Sequence, residues 1–241
     1  MFARNQKSIY QLDPVKMDKS TLHPDLEWIT NKATYKQVFD LFYTLGKVRY
    51  ATFKQLHALN FRVATKTNLV RFIELDYLSN DNPVKAYSIT DKTKKILELE
   101  RYNTKLLQTK LTGQTLEHAL KITGSILKLK PWTVFYPQFK EPPDYQKDWL
   151  KPDACLIFKK DNQIKIQFLE VEEIKQDWEN YLLGKREKYE RLATDANLFF
   201  MWWKHQSEKL GLPMGNVEDF CFSVCVVGNI KFNWEGFCFE N

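Results

Sequence analysis

Two apolar runs held five residues apart constrain this chain more than any other feature. Pro152-Asp153-Ala154-Cys155-Leu156-Ile157-Phe158 and Ile164-Lys165-Ile166-Gln167-Phe168-Leu169-Glu170-Val171-Glu172 are rich in β-branched and aromatic residues, and the polar residues Lys159 to Gln163 separate them. That pattern predicts an antiparallel hairpin. A two-residue turn at Asp161-Asn162 pairs Lys160 with Gln163, and every later pair then keeps the same positional sum. The register sets Asp153 opposite Glu170, about 5 Å apart on one face, with Glu172 two residues on along that face. Two readings stay open. The acids are solvated groups near strand ends, or they form an oxygen-ligand site for a hard divalent cation, Mg²⁺ or Mn²⁺.

With 241 residues, 44% of them hydrophobic and 15% aromatic, the chain can bury a sizeable core in one large or two small domains. Its net charge of +6 leans towards an anionic partner. No apolar run is long enough to span a bilayer, and Met1 to Gln6 carry no signal-peptide hydrophobic region, so a cytoplasmic protein without membrane contact is expected. Cys155, Cys221, Cys225 and Cys238 form no Cys-x-x-Cys pair and read as reduced core residues. The four histidines have no zinc spacing.

Residues 1–29 are polar and aperiodic and read as an N-terminal arm. From Thr34 the pattern sharpens. Val38, Leu41, Phe42 and Leu45 mark a helix ending at Gly46, Thr52 caps a short second helix, and a third, about Ala64 to Leu75, buries Leu69, Phe72 and Ile73. The polar side of the third helix carries Thr65, Lys66, Asn68 and Arg71. A hairpin follows, with Tyr77-Leu78 and Val84 to Ile89 around a turn at Ser79 to Pro83, and a fourth helix runs from Thr90-Asp91 to near Leu99. Three helices and a hairpin make the helix-turn-helix plan with a wing. Between residues 31 and 100, twelve Lys or Arg stand against seven Asp or Glu, which favours nucleic acid as the partner. The residues expected to touch DNA are Thr65, Lys66, Asn68, Arg71 and, on the wing, Lys85.

Residues 101–113 read as a connector and 114–241 as a second domain. A helix from Gln114 to Leu129 presents Leu116, Leu120, Thr123 and Leu127, with His118 early in it, and Pro131 stops it. Strands are expected at 132–136, in the two hairpin arms, at Leu198–Trp203 and at Phe220–Val227, with a helix from Glu172 to about Leu192. A strand-helix-strand crossover requires at least one parallel pair.

The stretch Tyr87-Ser88-Ile89-Thr90-Asp91-Lys92-Thr93-Lys94-Lys95-Ile96-Leu97 resembles the wing-to-helix junction of winged-helix DNA-binding domains, although Asp76-Tyr77 stands where such domains often have Gly-Tyr. Pro152-Asp153 and Glu170-Val171-Glu172, in an αβββαβ succession, resemble the restriction-endonuclease-like core built around Pro-Asp…(Asp/Glu)-x-Lys. The third-strand lysine of that motif is replaced by Glu172. A closer resemblance is to the replication-relaxation family of plasmids and mobile elements, through Pro152-Asp153, Glu170-Val171-Glu172 and Lys185-Arg186-Glu187-Lys188-Tyr189.

The resemblance implies an α/β protein with an N-terminal winged helix (30–100) and a nuclease-like core (114–241). It implies metal ligation by Asp153, Glu170 and Glu172 with Mg²⁺ or Mn²⁺, and catalytic roles for those acids, Lys185 and Tyr189. His118 would match a histidine of the family's preceding helix. The implied activity is a metal-dependent endonuclease or nickase acting on double-stranded DNA. Its rivals are a non-catalytic DNA-binding accessory factor, for which the core would serve dimerisation or DNA clamping, and a toxin or defence nuclease acting on RNA. The helix itself adds a constraint. Trp178, Leu182, Lys185, Tyr189 and Leu192 recur at steps of four, three, four and three, so Lys185 is the one charged member of a packing stripe. It is expected to meet the Glu170–Glu172 end of the site. Otherwise it lies at the stripe's margin, Gly184 kinks the helix, and Lys188 is the nearer base.

Overall fold

The computed structural model describes residues 32–59, 61–81, 85–108, 115–137, 139–140, 148–160, 163–171, 178–212, 220–227 and 237–240. The fold is mixed α/β, and the chain divides into two compact units between Lys130 and Pro131.

The first unit contains α1 (Lys32–Val48), β1 (Ala51–Thr52), α2 (Phe53–Ala58), α3 (Lys66–Glu74), β2 (Leu78–Asp81), β3 (Ala86–Ile89), α4 (Asp91–Leu99) and α5 (Leu116–Leu129). Threonine starts four of these helices. Thr52, Thr65, Thr90 and Thr115 each accept a hydrogen bond from the backbone N–H three residues on, and Gln55 returns the bond at Thr52 to complete a capping box. The core forms around α1, where Phe42 meets the edge of Phe72 at 5.0 Å and lies along Tyr77 at 5.6 Å. Leu41, Leu45, Leu56 and Leu69 complete it.

Gly46 does not end α1, which continues to Val48. A Cβ there would lie 2.6 Å from Ile89 Cδ1, so the glycine lets two elements approach closely. The expected hairpin turn is shorter than its composition suggests. Ser79, Asn80 and Asp81 belong to β2, with the Ser79 and Ser88 hydroxyls 2.6 Å apart across the ladder. β1 adds a third strand, giving the antiparallel order β1-β3-β2, because Ala51 and Thr52 pair with Tyr87 and Ala86.

The domain boundary expected before Gln114 is corrected to Lys130/Pro131. α5 packs on the first unit through polar and apolar contacts. The Thr123 hydroxyl donates to the Val48 and Tyr50 carbonyls, the Gln55 amide donates to the Leu120 carbonyl, and Ala119 joins Tyr50 and Ala86 in one cluster. Its most buried face is Ala119, Ile122, Thr123 and Ile126, one position away from the stripe expected from the leucines.

The second unit is organised by a five-stranded sheet in the order β10-β9-β8-β7-β4. Its strands are β4 (Thr133–Phe135), β7 (Ala154–Lys160), β8 (Gln163–Val171), β9 (Phe220–Val227) and β10 (Phe237–Glu240), and β5 (Phe139–Lys140) with β6 (Asp148–Leu150) forms a separate two-stranded ladder. β4, β7 and β8 are antiparallel; β9 runs parallel to β8, and β10 parallel to β9. The β8-to-β9 connection passes through α6 (Trp178–Thr194) and α7 (Ala196–Leu210).

The strand expected at Leu198–Trp203 is the first half of α7. An unbroken apolar run of six suits a buried strand or a buried helix equally, and periodicity cannot separate them. The flanks decide it. The Asp195 carboxylate accepts from the Leu198 N–H at 2.9 Å, and Gly211 closes the helix in the left-handed conformation at φ 66°. α6 and α7 cover one face of the sheet, with Phe168 of β8 ringed by Tyr189, Trp202 and Phe139.

Candidate functional site

The hairpin positions the site. β7 and β8 pair Lys160 with Gln163 and continue to Ala154 opposite Leu169, the register expected from a two-residue turn. Asp153, one residue before β7, therefore stands across from Glu170. Its carboxylate accepts a hydrogen bond from the Val171 N–H at 2.7 Å, which ties the start of β7 to the end of β8. Alternation along β8 puts Ile164, Ile166, Phe168 and Glu170 on the face that meets the helices, and their partners Ile157, Cys155 and Asp153 share it.

Glu170 is 1% exposed, at the end of an otherwise apolar row. α6 satisfies it with two side chains one turn apart. The Lys185 ammonium donates to Oε2 at 2.7 Å, and the Tyr189 hydroxyl donates to Oε1 at 2.6 Å. Tyr189 is buried with its ring 5.6 Å from that of Phe168, and Leu192, one turn further, is fully buried. Lys185 thus lies on the packing stripe and turns its charge onto a buried acid, as a lysine there must to escape the cost of isolation. Its side chain is 15% exposed. Lys188 is half-buried and is not the lysine that reaches Glu170.

The electrostatics follow from burial. Desolvation pushes the Glu170 carboxyl up to about 7; the neighbouring Lys185 charge pulls it down, the Asp153 carboxylate adds to the rise, and the two hydrogen bonds oppose it. Burial also drives the Tyr189 hydroxyl well above its ordinary value, reinforced by the negative charge of Glu170, so it serves as a donor. Cys155, beside Phe168 in the ladder, is a buried free thiol raised in the same way.

Asp153 and Glu170 supply the hard oxygen donors that Mg²⁺ and Mn²⁺ prefer. Glu170 has more lone pairs than its two hydrogen bonds use. Among the described residues no group of three His, Cys, Asp or Glu side chains is placed to hold a metal ion, and Glu172 lies outside the described residues. The side chains of Trp178 and Leu182 lie outside them as well. His118 belongs to α5 of the first unit, where its backbone N–H is capped by Thr115.

In the first unit, Lys66 and Arg71 of α3 and Lys85 ahead of β3 are exposed, and Lys85 takes a left-handed φ of 49°. Thr65 and Asn68 also bond within the chain. The Thr65 hydroxyl caps α3, and the Asn68 amide donates to the Val63 carbonyl at 3.0 Å. Both bonds hold the start of α3 in place.

Sequence reasoning passed over Tyr181. Its ring is 4.7 Å from the Lys185 ammonium, and it is 53% exposed. The signal was present, since residues four apart on a helix are neighbours. No family model, no curated protein and no solved structure matches the chain. No described helix is long and apolar enough to cross a membrane.

Proposed function

We propose that the protein is a metal-dependent nuclease or nickase of DNA, with a winged helix in the first unit and a restriction-endonuclease-like core in the second. One observation carries the reading: Lys185, from a helix, delivers its ammonium to Glu170 on the face shared with Asp153. Two acids and a lysine are the groups a phosphodiesterase of this kind requires, and the helical lysine replaces the one absent at Glu172. A divalent cation held by Asp153 and Glu170, with Glu172 as a further donor, would lower the pKa of bound water and offset charge on the phosphate. The chain's own residues do the positioning. Tyr189 and Lys185 orient the Glu170 carboxylate, Val171 orients Asp153, and Lys185 would stabilise negative charge developing on the phosphate. The exposed Lys66, Arg71 and Lys85 would bring the first unit to duplex phosphates.

The burial of Glu170, with both oxygens engaged, favours a second reading in which the core is inert and the protein binds DNA as an accessory factor or dimer. Conversion of supercoiled plasmid to open circles in Mg²⁺ or Mn²⁺ separates the two. Cleavage abolished by Asp153→Ala and Lys185→Met, but retained by Lys188→Met, is the expected result. Salt-sensitive binding without cleavage supports the accessory factor, and cleavage of RNA alone redirects the substrate.

A further inference from the structure

Tyr181 sits beside the proposed site. More than half of it is exposed, and its contact is with the Lys185 ammonium, 4.7 Å from the ring centroid, while that ammonium lies 2.7 Å from Glu170. A single exposed apolar residue needs no explanation by itself. A ring that touches the one lysine on the buried acid is a different case, because whatever approaches the ammonium from solvent also meets the ring. Its helix, α6, carries Lys185, Arg186, Lys188 and Arg191 against Glu179, Glu187 and Glu190, a net charge of +1. An anion drawn to Lys185 therefore finds a flat aromatic surface next to the charge.

We infer that Tyr181 is a stacking platform for an unpaired nucleobase, so that the second unit engages single-stranded nucleic acid, its phosphate directed to Lys185 and its base laid on the Tyr181 ring. In a paired duplex both faces of a base are already stacked on neighbours, which leaves the ring nothing to take; a single strand offers each base's face to a protein aromatic. The inference rests on the proposed nucleic-acid site, and it goes beyond it by naming the strand state that the site accepts. A ring that only held Lys185 in place would act equally on any phosphate-bearing ligand.

The test compares a labelled oligothymidylate with an abasic oligomer of equal length, which keeps the phosphates and lacks the bases. Binding is measured by fluorescence anisotropy with the full chain in EDTA, so that nothing is cleaved. The wild type should prefer the base-bearing strand by roughly 5- to 150-fold, the span of one base–aromatic stack. Tyr181→Leu should lose that preference while binding the abasic strand as before, and Tyr181→Phe and Tyr181→Trp should keep it. Equal weakening of both strands in Tyr181→Leu would make the ring a mere support for Lys185 and overturn the proposal. An unchanged preference in Tyr181→Leu, or a wild type that binds neither strand, overturns it as well. Plasmid nicking is scored separately. Its absence beside a Tyr181-dependent preference refutes catalysis alone, and its presence without that preference refutes the platform alone.

Discussion

Lys185→Met is the perturbation with the best-defined energetic signature, because the cost must depend on pH in one direction. Burial holds the Glu170 carboxyl at about 7 even with the lysine beside it. A carboxyl whose folded pKa lies above its unfolded value of 4.5 binds more protons in the folded state, so its contribution to stability is complete below 4.5 and is lost as pH rises towards 7. Methionine fills the lysine's volume without the charge, and the folded pKa of Glu170 then moves higher still. At pH 5 to 6 the acid is protonated in both proteins, and the variant loses about 1 kcal/mol, the worth of a hydrogen bond. Above pH 7 the wild type has stopped losing stability from this group, while the variant continues to lose about 1.4 kcal/mol per pH unit. The difference should therefore reach about 2–3 kcal/mol near pH 8.5, short of the roughly 3–5 kcal/mol of a fully stranded buried charge. Urea unfolding in EDTA, followed by tryptophan fluorescence, reports chiefly this unit, since six of the seven tryptophans, Trp132, Trp149, Trp178, Trp202, Trp203 and Trp234, follow Pro131. Lys188→Met should track the wild type across the range. A pH-independent cost for Lys185→Met, or the same profile from Lys188→Met, would refute the Glu170–Lys185 account.

Three other outcomes follow from single features. Lys66→Ala with Arg71→Ala should weaken duplex DNA binding, reduce the slope of log K against log salt by about 1.8 in magnitude, and matter less as salt rises; band-shift titrations at several salt concentrations read this, and an unaltered slope places DNA elsewhere. Lys47 is buried over the Tyr43 ring, 4.4 Å from its centroid, and burial lowers its ammonium to about 7. The unfolded chain binds the extra proton between pH 7 and 10.5, so this lysine makes the first unit more stable as pH rises through that window. Lys47→Met should flatten the rise and stabilise the protein at pH 6 by up to about 5 kcal/mol, measured by denaturant unfolding monitored by circular dichroism. Gly46→Ala should destabilise by about 1–2 kcal/mol in the same assay, because the clash with Ile89 and Leu107 outweighs the helix-propensity gain; a stabilised variant would show that those side chains move aside at no cost.

How much of this protein could be read from its residues depended on whether the deciding interaction was local. The β7–β8 register was legible because alternation and a two-residue turn determine pairing between adjacent strands, and the same arithmetic put Asp153 across from Glu170. The threonine caps at Thr52 and Thr90 were legible for the same reason, since a cap is settled within four residues. Lys185 was reached through a stripe of period 3.6 that contained one charge, and a buried charge must find an opposite one. The capping signals around Leu198–Trp203 were also local, and weighing Asp195 and Gly211 above the apolar run would have recovered α7. Other features were beyond the residues themselves. That α5 belongs to the first unit was decided by the Val48 and Tyr50 carbonyls, which need the Thr123 hydroxyl, seventy-odd residues away. That Gly46 admits Ile89 instead of ending a helix is a property of two elements brought together. Local chemistry sets hydrogen bonds and periods along the chain, and it leaves open which distant surface will complete them; only the folded chain, by burying one face against another, makes that choice.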